Sequence, residues 1–259
     1  MNFKGSWCVK LNARRRCGSG NEFSSNAMKY RYFFALFVLA AGLVAPEAQA
    51  QYYYSYSRRG DAGLYTRLEL GPSFFQDGRL SGFGGPAGNP VDYDAGYSAN
   101  AALGFEFNKY VGADFEFGAV GAEIKSVPGF FSHNTSVDNL PFLANLTLSY
   151  PIPHTLVVPY IGAGAGGSLT TFNTDGFGNN SVVVSGSESD VVFAWQAFAG
   201  LRLKLSNQMS IGIGYKYYAT GNPSFSYPPA FPGPGIGNFS LGFDGVRTHS
   251  VLLTFQFKF

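Results

Sequence analysis

Hydrolysis by a serine needs a base within hydrogen-bond reach and a third group to orient that base. The chain offers three histidines for the task, His133, His154 and His249. His249 adjoins Ser250, and adjacent side chains on a strand point to opposite faces, so the two cannot pair directly. His133 lies near Ser132, Ser136 and Asp138, a grouping that a Ser/Asn-rich loop produces by chance. His154 sits in a short Pro-bounded link. No catalytic residue is expected, and the chain is read as a non-enzyme. Cys8 and Cys17 make at most half a metal site, having no histidine near them, so neither metal nor cofactor is expected. The run GAGAGG at 162–167 would cradle a phosphate only if it opened a helix. It reads as a strand instead.

A second set of residues carries a different chemistry. Arg67, Glu69, Glu106, Asp114, Glu116, Arg202, Lys204, Lys216 and Lys258 all fall on one parity of segments whose other parity is apolar. Successive side chains of a strand alternate between faces, so these nine are expected on a common, inward face. In a lumen of low dielectric an unpaired charge is very costly. The expectation is therefore a paired charge cluster that fills the interior as a structural plug; the functional alternative is a gated ion or proton path.

The elements that must position them are eight segments of period two. They run from Leu64 to Gly71, Tyr97 to Phe107, Val111 to Ala119, Leu140 to Tyr150, Tyr160 to Gly166, Trp195 to Leu205, Ile211 to Tyr218, and Val251 to Phe259. The last is the clearest: Val251, Leu253, Phe255, Phe257 and Phe259 share one face, while Thr254, Gln256 and Lys258 share the other. Each segment is about ten residues, the length that a tilted strand needs to cross a bilayer. Short links near 108, 152 and 207 alternate with long polar, Gly/Pro-rich stretches near 76–94, 121–139, 170–189 and 220–246. Sorting of short turns to one side and long loops to the other is what transmembrane barrels show; a soluble sandwich has no reason to do so.

Composition and address agree. Aromatics make up 17% of the 259 residues, glycines number 34, and charged residues are only 13%. Mean hydropathy is near zero, which excludes a bundle of apolar helices. The one long apolar run, Phe33 to Ala45, follows the basic start Met28-Lys29-Tyr30-Arg31 and precedes Ala48-Gln49-Ala50. That order is a signal peptide, with Ala48 and Ala50 at the cleavage site. Four parts are expected: 1–27, a leader or mis-set start; 28–50, the signal peptide; 51–62, a flexible lead-in; and 63–259, the barrel. Residues 1–50 hold seven Lys/Arg and two Asp/Glu, so the remainder carries 11 basic and 14 acidic residues, net −3. Nucleic acid is not an expected partner.

The PYIGAGAG, AWQAFAGLRLKL and IGIGYKYY segments and the terminal TFQFKF, behind a signal peptide, resemble the small outer-membrane β-barrel family of opacity-type surface antigens and OmpA-type membrane domains. The resemblance covers about 63–259. It implies an eight-stranded antiparallel up-and-down barrel in the outer membrane of a Gram-negative-type cell, in contact with outer-membrane lipid. It also implies an assembly signal in Phe255, Phe257 and Phe259 that the barrel-assembly machinery reads. No peptidoglycan-binding domain is expected after the last strand. The expected role is a surface antigen with structural, adhesion or interaction duties, meeting an extracellular partner through four long loops; the alternative is a narrow porin-like pore for small or hydrophobic solutes. The fourth loop is rich in Pro, Gly and aromatics, which suit either a partner contact or packing over the barrel mouth.

Overall fold

A computed structural model describes residues 62–82, 88–178, 183–227 and 239–259. The leader, the signal peptide with Ala48 and Ala50, both cysteines and the lead-in up to Asp61 lie outside the described residues.

Eight long strands form the wall: β1 (Gly63–Phe75), β4 (Gly96–Glu106), β5 (Val111–Ser126), β7 (Ser136–Ser149), β8 (Val157–Gly178), β9 (Val183–Lys204), β10 (Met209–Thr220) and β13 (Arg247–Lys258). Each is antiparallel to its chain neighbour in this series, from β1·β4 through β10·β13. β13 returns to β1, with Thr66 opposite Phe257 and Leu70 opposite Leu253, so the ring is closed and has no free edge. Burial follows the alternation. On β1, Tyr65, Arg67 and Glu69 are buried, while Leu64 and Leu70 are more than half exposed. The same holds on β13, where Leu252, Thr254 and Gln256 are buried and Val251 and Leu253 face out.

Glycine permits the close approaches inside. A Cβ on Gly164 would collide with Asn145 Oδ1, and one on Gly162 with the Phe198 ring. The GAGAGG stretch thus makes room for large side chains of neighbouring strands.

The long-loop end differs from the expected irregular loops. Residues 170–178 and 183–189 continue β8 and β9, so that each strand reaches 22 residues, about twice what a bilayer requires. β5 likewise runs on to Ser126, and β7 begins at Ser136. The other loops carry β2 (Gly78–Gly82), β3 (Asn89–Tyr93), β6 (Phe131–His133), β11 (Ser224–Tyr227) and β12 (Phe239–Phe243). β11, β12, β2 and β3 pair in that order and join the wall at β5, while β6 pairs with β8. Strands of three to five residues set among Gly and Pro carry too few alternations to be told from loops.

These strands cover an apolar core. Leu80 and Val91 from the first loop, Phe225 and Leu241 from the fourth, and Phe172 and Phe177 from β8 meet there. Phe172 stacks at 5.1 Å from Phe243 and 5.9 Å from Phe225. Phe225 and Phe243 of the fourth loop therefore pack inward over the barrel mouth.

Candidate functional site

The polar interior is the one concentration of ionic chemistry among the described residues. It is built by parity: β1 contributes Tyr65, Arg67 and Glu69, β5 contributes Asp114 and Glu116, and β10 contributes Lys216. Arg67 lies at its centre. Its Nη1 is 3.0 Å from Asp114 Oδ2, and its Nη2 is 3.0 Å from Glu116 Oε2. Its Nε stands 3.2 Å from Glu69 Oε1 without the alignment of a hydrogen bond. Lys216 Nζ bridges Glu69 Oε2 at 2.6 Å and Glu116 Oε1 at 2.7 Å. All five ionic side chains are buried.

Neutral donors complete the carboxylates' shells. Tyr65 OH donates to Asp114 Oδ2 at 2.6 Å. Asn145 Nδ2 donates to Asp114 Oδ1 at 2.8 Å, and Gln196 Nε2 in turn donates to Asn145 Oδ1 at 2.8 Å. The Phe198 ring lies 5.4 Å from the Arg67 guanidinium and 5.9 Å from Lys216 Nζ, within cation–π range. Three carboxylates thus face two cations, and the surplus negative charge rests on hydrogen bonds.

A second tier lies toward the short turns, where the balance reverses. Glu106 accepts from Lys258 Nζ at 2.7 Å and lies 3.9 Å from Arg202 Nη1. Arg202 also donates to Gln256 Oε1 and, at 2.7 Å, to Ser149 Oγ, with its guanidinium 5.0 Å from the Tyr160 ring centroid. Toward the long loops the lumen becomes neutral: Ser73 and Ser250 share a 2.6 Å hydrogen bond, and Thr170 donates to Asn139 at 2.8 Å. The apolar core of the loop strands follows. Charge, neutral polar groups and hydrocarbon are layered along the barrel.

Of the nine charges expected inside, eight join these two tiers. Lys204 departs: it is exposed at the end of β9, outside the ion pairs of both tiers. Two residues beyond Arg202, the last buried position of the strand, the lumen has ended and the side chain meets solvent. Tyr65, Asn145, Gln196, Phe198 and Gln256 belong to the network and were not singled out from sequence; inward parity was the signal that could have found them. Phe255 on β13 and Phe259 just beyond it are exposed, and the Phe257 and Phe259 rings pack edge-on at 5.2 Å.

The histidines remain apart from the serines. His249 bonds on the outer face to Tyr215 OH and, at 2.6 Å, to the Gln76 amide, while Ser250 points inward. His133 is exposed on β6, and Asp138 accepts instead from Ser136 and Asn173, at 3.1 and 3.2 Å. His154 lies exposed in the β7–β8 turn. Among the described residues no group of three or more His, Cys, Asp or Glu is placed to hold a metal ion.

Known proteins place this architecture. A family model described as outer membrane protein beta-barrel domain matches residues 35–259. No curated protein matches the chain. Among solved structures, the outer membrane protein OprG from Pseudomonas aeruginosa is 12% identical, with 75% of this chain and 96% of that one covered, at a TM-score of 0.52. AlkL is 18% identical over 80% of this chain and 95% of its own, at 0.47. Neisserial surface protein A is 14% identical over 76% and 99%, at 0.44. At these identities the likeness to OprG is one of fold. The family match spans nearly the whole chain, and the closed eight-strand ring with its apolar outer face is the architecture it describes. The chain belongs to the outer membrane protein beta-barrel domain family and resides, in contact with lipid, in the Gram-negative outer membrane.

Proposed function

We propose that this barrel is a closed, non-catalytic surface protein that works through its extracellular end, in a structural or adhesive interaction. The observation that carries this reading is the state of the loops. Connections that merely closed a barrel would need two to five residues each. Here they supply five further strands and the buried Leu80, Val91, Phe225, Leu241 and Phe243 of a separate apolar core. A folded cap presents fixed side chains, and pre-organised display of that kind serves recognition better than a mobile tether does. Beneath the cap, the paired charges occupy the lumen and support the plug over the ion path.

Two measurements test the proposal. In planar bilayers the purified protein is expected to show no conductance steps above the lipid baseline. Steady steps abolished by Arg202→Gln or Glu116→Gln would replace this reading with that of a narrow pore. Cells displaying the protein are expected to lose adhesion to other cells or surfaces when 76–94 and 221–246 are replaced by short turns. Unchanged adhesion, with the barrel still folded, would remove the interaction role.

A further inference from the structure

Among the described residues the outer wall carries an apolar depression. Across β8 and β9 the lipid-facing parity bears Ala163, Ala197 and Ala199 between larger Ile, Leu and Trp side chains. These three form the floor of an apolar groove of about 480 Å3, walled by Ile161 on one side and by Tyr215 and Tyr217 on the other. The volume is that of a small-molecule site, for which about 300–1,000 Å3 is usual. Register fixes its depth. Ile161, Ala199 and Tyr215 lie opposite one another, four to six residues from the short-turn ends of their strands, which is within the hydrocarbon.

The groove ends, toward the cell exterior, at a polar cluster on the same face. Trp195 packs on Tyr217 at 5.4 Å, Tyr217 on His249 at 5.2 Å, and His249 bonds to Tyr215 and Gln76. Indole, phenol and imidazole groups with one apolar end and one polar end belong at the membrane–water boundary. Arg247 follows two residues beyond His249 on the outward parity, about 7 Å farther along the strand. It is exposed, and none of the ion pairs among the described residues includes it. On a face whose established neighbour is lipid, a chain-sized groove therefore leads up to a cation at headgroup height.

We propose that this face holds one phosphorylated lipid of net negative charge from the outer leaflet, with an acyl chain in the Ala163–Ala197–Ala199 groove and its phosphate against Arg247 and the His249 cluster. Continuity with the lipid-facing wall assigns the chain, and charge complementarity assigns the phosphate. A zwitterionic lipid would bring its own cation beside its phosphate and leave the charge of Arg247 uncompensated. A headgroup-free hydrocarbon would leave the polar cluster unused.

The full chain already contains a reporter, because its two tryptophans are Trp7 and Trp195. In a Trp7→Phe chain, all tryptophan fluorescence comes from the top of the groove. The protein is reconstituted in phosphatidylcholine vesicles with a fixed fraction of chain-brominated phosphatidylglycerol or of chain-brominated phosphatidylcholine, and Trp195 quenching is compared. The anionic lipid is expected to associate roughly fivefold more strongly, the factor contributed by one Arg at the membrane surface. Arg247→Gln is expected to equalise the two lipids. Ala199→Phe is expected to fill the groove and reduce quenching by both, with heat-modifiable gel mobility confirming that each variant is a folded barrel. Equal quenching by the two lipids in the parent chain overturns the proposal, because ordinary boundary lipid then accounts for it. Quenching by a bromoalkane that matches the anionic lipid also overturns it, in favour of a hydrophobic solute.

Discussion

Arg67 and Lys216 are outnumbered by the carboxylates they serve, and this asymmetry decides what each substitution does. Removing a cation leaves buried carboxylates facing one another; removing a carboxylate leaves two cations and two carboxylates. Lys216→Met should cost about 3–5 kcal/mol, the range for breaking a buried ion pair from one side. Glu69→Gln should cost clearly less, since the amide keeps the shape and the charges then balance. Denaturant unfolding in detergent micelles gives both values; an equal loss would mean that count does not matter and local geometry does. In the cap, Tyr93 packs against Phe75 at 5.4 Å. Burial, reinforced by the carboxylates of Asp244 and Asp77, pushes its phenol well above the ordinary tyrosine range. The neutral phenol is the form that the folded cap keeps. Its contribution is complete below the unfolded value of about 10 and is lost as pH rises from there toward the folded value. Protection of the cap amides, corrected for the base-catalysed intrinsic rate, is expected to fall above pH ~10, and Tyr93→Phe should remove that fall.

At the scale of the strand, parity governs both what can be read in advance and what can be broken. Leu253 is 59% exposed on the lipid face of β13, between Leu70 of β1 and Ile213 of β10. Leu253→Arg should cost about 2–4 kcal/mol near the bilayer midplane. Measured by folding into lipid vesicles, a neutral effect would contradict the assignment of that face. The eight wall strands were legible because period two persists in each for about ten residues, and one face of each is apolar. The inward charges were legible for the same reason. What could not be read was which charges meet. Arg67 reaches Asp114 and Glu116 two strands away, and Lys216 bridges Glu69 to Glu116; both depend on the stagger of the closed ring, which no single segment encodes. Asn145 and Gln196 share the inward parity, but parity alone does not say which charge an amide serves until the neighbouring strands are known. The cap strands were missed since a strand of three to five residues has no period to detect, and the continuation of β8 and β9 was hidden by Thr, Asn and Gly that read as loop.

For the whole barrel, two interiors of opposite character are stacked in one wall. The membrane-level interior depends on paired charges and hydrogen bonds, and the surrounding lipid leaves its backbone no alternative partner for an opened strand. The extracellular interior is apolar and surrounded by water, so it depends on burial as a soluble domain does. The two should therefore fail separately. Phe172, fully buried among Phe177, Phe225 and Phe243, is the test. Phe172→Ala should cost about 3–5 kcal/mol of cap stability by loss of burial and creation of a cavity. That loss should appear as protease cleavage and rapid hydrogen exchange in 76–94 and 220–246, while the heat-dependent gel shift of the barrel stays unchanged. If the gel shift is lost together with the cap, the apolar core is part of what closes the barrel, and the membrane wall is not stable on its own ion pairs. If only the cap opens, the wall is an independent scaffold, and the cap is the part free to vary with whatever the cell surface must meet.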